Sequence, residues 1–332
     1  MHPFALERPR DLSAALALGA QAGRNDAVAE YIAGGTDMVQ LLQEYVRRPD
    51  RLVSLAGLLD DTIDVGPQGL RLGAAATMAK VAVHQDVVGQ FPLISQALLN
   101  SASPQVRNVA TMGGNVLQRT RCPYFRDVGY EACNKRAPSS GCAAMDGENR
   151  WHAVLGTSDS CIAVHPSDLA VALVALDAEV EISGAGGTRT VPLADLHRLP
   201  GATPHLETVL EPGEVIAAIT VPAGAAGLRS HYLKVRDRAS FEFAVVSAAV
   251  ALDVADGRIR QARVALGGVA TKPWRIPNVE QALSGMSLDS GEFRSAAALA
   301  ADGAQSRGHN EFKIELMQRA IVRAVETAGA RA

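Results

Sequence analysis

Outside one short window, the 332-residue chain has no cysteine at all. A disulfide framework spread over the whole fold is therefore excluded. Aromatic residues make up only 4%, so Ala, Val, Leu and Ile must do most of the packing. No excess of basic charge is present: the formal net charge is -3, which leaves no electrostatic footprint for nucleic acid. Long hydrophobic runs are missing too. The longest clean one, Leu169 to Leu176, is closed by Asp168 and Asp177 and is too short to cross a bilayer, so no membrane insertion is expected. Met1 to Ser13 carries Glu7 and Asp11 and lacks the apolar centre of a secretory signal, which predicts cytoplasmic synthesis. Periplasmic export while docked to a signal-bearing partner is compatible with that. No Gly-x-Gly-x-x-Gly run opens a helix. Gly184 to Gly187 lies between two strand-like pieces and reads as a hairpin turn, so a doubly wound nucleotide fold is not indicated.

What remains is an ordinary globular balance, 48% hydrophobic and 20% charged, long enough for two domains. Leu12 to Gly23 predicts a helix capped by Asp11, followed by a strand from Ala27 to Ile32. Helical spacing recurs over Asp37 to Tyr45, Thr77 to Gln85, Pro92 to Asn100 and Pro166 to Ala175. Strands are expected at Arg51 to Leu55, Gly69 to Ala74 and Glu179 to Ser183, and Thr111 to Asn115 reads as a turn. A Pro-Ala-Gly-Ala-Ala-Gly break from Pro222 to Gly227 marks a domain boundary. Beyond it, Ser230 to Arg236, Ala244 to Val254 and Arg258 to Gly267 predict a three-stranded antiparallel sheet, its last hairpin turned by Asp256-Gly257. Helices are expected at Ser290 to Ala301 and at Glu311 to Gly329. The second has Asn310 as cap and a stripe of Phe312, Leu316, Ala320 and Val325. The fold class is α+β.

Three features carry chemistry. Ala33-Gly34-Gly35-Thr36-Asp37 and Thr111-Met112-Gly113-Gly114-Asn115 are glycine pairs of the kind that let backbone approach a phosphate. Each alone is more often only a turn; two in one domain suggest a bound pyrophosphate. The third is the cysteine set, Cys122, Cys133, Cys142 and Cys161, with ten, eight and eighteen residues between successive members. From Arg119 to Ser160 the hydrophobic period vanishes, so something other than an apolar core is expected to hold this loop. By spacing alone an iron–sulfur cluster, a zinc site, disulfides and free thiols all remain open. Arg119, Arg121, Arg126, Lys135 and Arg136 read either as a solvated basic loop or as counter-charge for thiolates or a partner. Ser167 or Asp168 reads as a helix cap. The alternation of Tyr232, Lys234 and Arg236 reads as one solvent face of a strand.

Taken together and in order, these residues resemble the FAD-binding medium subunit of the xanthine dehydrogenase and aldehyde oxidase type of molybdenum hydroxylases. The resemblance implies a two-subdomain FAD-binding domain of the PCMH/vanillyl-alcohol-oxidase-like type over 1–222, with an iron–sulfur insertion at 119–160. A small C-terminal α+β domain follows over 227–332. It implies that Tyr31, Ile32, Ala33, Gly34, Gly35, Thr36, Asp37 and Met38, with Thr111, Gly113, Gly114 and Asn115, wrap the FAD pyrophosphate near Ala102 and Gln118. Asp168 would bind the sugar end, and Ile216 and Lys234 would lie near the flavin. No side chain is expected as a general base.

The cysteine loop, Cys122-Pro123-Tyr124-Phe125-Arg126-Asp127 through Gly141-Cys142, looks like the periplasmic aldehyde oxidoreductase branch. There the four cysteines hold an added 4Fe-4S cluster. The expected partners are a large molybdenum-cofactor subunit acting on aldehydes or N-heterocycles, a small subunit with two 2Fe-2S clusters, and an external electron acceptor. Relatives that use NAD present an acidic loop where this chain has Arg238-Ala239-Ser240-Phe241-Glu242-Phe243, which argues against NAD. Two rival readings are a free-standing iron–sulfur flavoprotein carrier and a zinc-stapled interaction subunit.

Overall fold

The structure is a computed structural model describing residues 1–20, 28–289 and 291–330. Asp11 caps the helix Leu12–Ala20 by accepting from the Ala14 amide at 2.8 Å, which turns Ala15 and Leu16 inward. The helix's predicted end at Gly23, the strand start at Ala27 and the helix start at Ser290 lie outside the described residues. The helix packs on a parallel sheet ordered Ala5–Glu7, Arg51–Ser54, Ala29–Ile32.

A second sheet is antiparallel throughout, in the order Ile63–Gly66, Gly69–Gly73, Val215–Pro222, Glu179–Gly184, Gly187–Pro192. Gly184 pairs with Gly187 across the expected hairpin turn. The central strand, Val215–Pro222, is an element that periodicity misses. Val215, Ile216, Ala218, Ile219 and Val221 are all buried, so the run shows no alternation. The helix Asp168–Ala175 shares one apolar core with this sheet; it is buried at every position and capped by Ser167, which accepts from the Ala170 amide at 3.0 Å.

The third sheet runs Trp274–Arg275, Arg258–Gly267, Val246–Ala255, Arg229–Val235. Its three long strands are the predicted ones, and the two-residue strand adds an edge. Asp256 and Gly257, at φ 52° and 70°, make the tight turn between two of them. Both faces of this sheet are covered. Ala249 and Ala251 join the core that holds Leu169 to Leu176, whereas Ala248, Val250 and Leu252 pack with Met317, Ile321 and Val325.

Four expectations need correcting here. Thr111 to Asn115 is not a bare turn: Met112–Val116 is a short helix capped by Thr111. The buried stripe of Phe312–Gly329 is turned from the predicted one, running through Lys313, Met317, Ala320, Ile321, Ala324 and Val325 while Phe312 stays exposed. Asn310 does not cap that helix; it is buried and its amide donates to Ala153 O at 3.0 Å. Finally, the loop from Arg119 to Ser160 contains only one helical turn, Pro123–Arg126, as expected, yet it is not without burial. Phe125, Ala144, Val154 and Leu155 are buried, and Val154 and Leu155 donate to Val269 O at 2.8 and 3.0 Å. Among the described residues no helix is long and apolar enough to cross a membrane.

Candidate cofactor cavity and cysteine loop

The two glycine loops are neighbours in space. An added Cβ on Gly34 would lie 2.2 Å from Val109 O, just ahead of Thr111, so only glycine permits this approach. Gly35 sits at φ +72°, where glycine is again favoured. Around these loops opens a cavity of about 1030 Å³ that runs from Glu30 and Glu214 to Lys234 and Phe241. Tyr31, Ile32, Ala33, Gly34, Thr36, Asp37, Met38, Ala102, Thr111, Gly113, Gly114, Asn115, Gln118, Asp168, Ile216 and Lys234 all border it; Gly35 does not.

Backbone bonding separates the roles of the two loops. In the second, the Met112, Gly113 and Gly114 amides already donate to Ala76 O, Ala74 O and Thr111 Oγ1, at 2.9, 3.0 and 3.2 Å. In the first, the amides of Gly34, Gly35 and Thr36 have no acceptor among the described residues. The unpaired amides of the two loops are therefore those of the first, whereas those of the second are spent within the fold. The carboxylates bordering the cavity do not oppose an anion, because each is paired: Glu30 with Arg47, Asp37 with Arg121, Asp61 with Lys80, Asp168 with Lys234, Glu214 with Arg189 and Glu242 with Arg238.

Several side chains are committed inward. Tyr31 donates to Gly213 O at 3.1 Å, and burial pushes its hydroxyl up to about 12. Asn115 accepts from Ser167 Oγ at 2.6 Å, which ties the second loop to the helix that Asp168 begins. Ala102 takes a left-handed φ of 50°, held by Arg107, which donates to Ser101 O and Ala102 O at 2.7 and 3.2 Å.

At the far end, Asp168 accepts from Tyr232 OH at 2.6 Å, Ser101 Oγ at 3.0 Å and Lys234 Nζ at 2.8 Å. Lys234 also donates to Asn100 O at 3.0 Å, which leaves one N–H of three for a ligand. The solvent-face reading of Tyr232 and Lys234 is thus overturned: both side chains are buried, because Asp168 gives the lysine a partner under the sheet. Over the cavity mouth stand Phe241 and Phe243, 57% and 42% exposed, with the Arg121 guanidinium 5.0 Å from the Phe243 ring.

The basic residues of the cysteine loop are not a solvated patch. Arg119 pairs with Glu207, Arg121 and Arg126 with Asp37, and Lys135 with Glu207, while Arg136 donates to the carbonyls of Tyr124 and Phe125 at 2.8 and 2.9 Å. They hold the loop to the fold. All four cysteines are free thiols. Cys133 faces Cys142 across an isolated antiparallel bridge, and His152 Nε2 lies 3.2 Å from Cys122 Sγ. Burial raises Cys122 to about 12, and the charges of Cys161 and Cys133 add to the rise; Cys142 and Cys161 are raised for the same reasons. The Ala163 amide donates to Cys161 Sγ at 3.5 Å. Among the described residues, no three His, Cys, Asp or Glu side chains are drawn close enough to hold a single metal ion. Sequence reasoning missed His152, for which no local pattern gives a signal, and read Tyr232 as solvent-facing although its alternation with Lys234 puts both on one face.

These features define a binder of a long, phosphate-bearing cofactor. Residues 2–224 match the family of FAD binding domains in molybdopterin dehydrogenase, and residues 231–328 match the CO dehydrogenase flavoprotein C-terminal domain. The aldehyde oxidoreductase FAD-binding subunit PaoB of Escherichia coli (strain K12) is 46% identical over 308 residues, 92% of each chain. The carbon monoxide dehydrogenase medium chain of Afipia carboxidovorans is 26% identical over 99% of this chain and 98% of its own. In three dimensions, a chain of the Cu,Mo-CO dehydrogenase crystal structure superposes with a TM-score of 0.77 at 26% identity, covering 100% of both chains. The chain belongs to the FAD-binding medium-subunit family of the xanthine dehydrogenase and aldehyde oxidase type of molybdenum hydroxylases. It is accordingly an FAD-binding oxidoreductase subunit.

Proposed function

We propose that this chain is the electron-transfer subunit of a molybdenum-dependent aldehyde oxidoreductase, carrying FAD in the main cavity and a 4Fe-4S cluster on Cys122, Cys133, Cys142 and Cys161. Residues 1–222 are assigned to the FAD-binding unit with its insertion at 119–160, and 227–332 to the C-terminal unit. The observation that carries the FAD assignment is the first glycine loop, whose Gly34 and Thr36, with unpaired amides, border a cavity in which every carboxylate has a cationic partner. Bound FAD supplies the redox chemistry. The loop at Gly34 to Thr36 would hold the pyrophosphate, and Asp168, Ile216 and Lys234 would border the ring end.

The cluster assignment rests on donor chemistry. The four cysteines fall within one short window, Cys133 faces Cys142 across an antiparallel bridge, and the Ala163 amide donates to Cys161 Sγ at 3.5 Å, a donor set of the kind that holds iron–sulfur clusters. Partners of the relatives' kind follow: a large molybdenum-cofactor subunit and a small 2Fe-2S subunit deliver electrons, and an external acceptor removes them. Phe241 and Phe243 at the mouth argue against a nicotinamide as that acceptor. Periplasmic residence after co-export with a signal-bearing partner is part of the same proposal. The test is iron, sulfide and zinc analysis of the anaerobically purified full chain and of its Cys133→Ser and Cys142→Ser variants. About four irons per chain that fall away in both variants support the cluster. Native zinc, or iron that persists in both variants, would overturn it.

A further inference from the structure

Asp37 occupies the N-cap position of the helix Met38–Gln43, yet its side chain makes no capping bond. An N-cap aspartate normally accepts from the first helical amides. Here the carboxylate turns toward the cysteine loop, some eighty residues away in sequence. It accepts from the Arg119 amide at 2.8 Å, Arg121 Nη1 at 2.9 Å and Arg126 Nη2 at 2.7 Å. The arginine side chains are only 24% and 10% exposed, and Asp37 only 17%, so these charge-assisted bonds are poorly screened. From Arg126 the linkage continues: its Nε donates to Thr120 O at 2.9 Å, and Thr120 Oγ1 accepts from the Cys122 amide at 3.2 Å. On the other side, Thr36 and Met38 flank Asp37 and border the cofactor cavity with it.

We propose that Asp37 is a positioning residue that couples FAD binding to the order of the cysteine loop. The inference rests on the FAD assignment and not on the cluster. A cofactor held by Gly34 to Thr36 fixes the backbone at Asp37. That fixes the two guanidiniums and the start of the loop, and so the first cysteine. Linkage requires the reverse as well: a loop properly seated on Asp37 raises the affinity for FAD.

Limited trypsin digestion of the full-length chain tests this, since Arg119, Arg121 and Arg126 are themselves cleavage points. The probe is FAD, removed and then added back, with cleavage sites read by mass spectrometry and affinity by flavin fluorescence. In the native chain FAD should slow cleavage at these arginines by about tenfold. Asp37→Asn should lose that protection and bind FAD about tenfold more weakly. Arg126→Gln is the discriminating variant, because Arg126 does not border the cavity. It should also weaken FAD binding by about tenfold, through the linkage alone. Glu44→Gln removes the other acidic partner of Arg126 and should leave the protection intact. Equal protection in Asp37→Asn, or native affinity in Arg126→Gln, would overturn the coupling while leaving the FAD assignment standing. A native chain that takes up no FAD would overturn that assignment, and the coupling with it.

Discussion

Replacing Gly34 by alanine should cost most of the FAD affinity. The new Cβ would stand 2.2 Å from Val109 O and 2.9 Å from its carbonyl carbon, whereas ordinary contact begins near 3.4 Å. Backbone cannot swing aside as a side-chain tip can, so the two loops must part by about 1.2 Å, the difference between those values. Amide–phosphate bonds of about 2.9 Å would open to about 4 Å, beyond hydrogen-bonding range. Losing two charge-assisted bonds at roughly 1.5–3 kcal/mol each gives a loss of about 3–6 kcal/mol. That corresponds to a Kd raised by roughly two to four powers of ten. Gly35→Ala is the matched contrast. Its Cβ would meet nothing nearer than 3.4 Å, so it carries only the strain of φ +72°, about 1 kcal/mol. Reconstitution of the stripped chain with FAD, followed by flavin fluorescence, reads both. A Gly34→Ala chain that binds FAD within about threefold of the native Kd, or no worse than Gly35→Ala, would refute the reasoning.

Lys234→Ala should keep FAD bound but lower the flavin midpoint potential, since it leaves the Asp168 carboxylate without its cation. Asp168→Asn should raise it; shifts of the same sign in both variants would count against an electrostatic role. Lys313→Met should stabilise the protein in acid. Among the described residues the buried ammonium has only Gly268 O, at 2.7 Å, as a hydrogen-bond partner, and burial pulls it down to about 7 from the usual 10.5. A depressed folded value means that the native lysine contributes stability above the unfolded value of 10.5, which is lost as pH falls through about 7. The shift sets a ceiling of about 5 kcal/mol, and the Gly268 carbonyl left unpaired offsets about 1–3 of it. The gain in denaturant midpoint should be largest below pH 7 and shrink toward 10.5; a pH-independent difference would contradict it.

Local patterns carried the fold where turn and cap residues mark the ends of an element. The Asp256-Gly257 hairpin and the capped helices at Leu12 and Asp168 announce themselves through turn and cap residues. Val215–Pro222 does not, because a strand covered on both sides loses its alternation. The Phe312–Gly329 stripe misled because Lys313, polar by type, is buried against a carbonyl. Of the site, the glycine pairs were legible as phosphate-type turns, but which loop keeps its amides free depends on tertiary acceptors such as Ala74 O and Ala76 O. The seat of Arg121 and Arg126 on Asp37 joins residues more than eighty apart, so no window of sequence could show it.

The central claim, that this chain receives electrons on a non-covalent FAD, is tested most directly by anaerobic aldehyde titration of the complex co-purified with this chain. The visible flavin band is followed, and acid-released flavin is then quantified. The account predicts one FAD per chain, fully released by acid, with a band that bleaches on aldehyde and returns with an artificial electron acceptor. A flavin that stays oxidised while the other centres are reduced, or that is released as FMN, would contradict it.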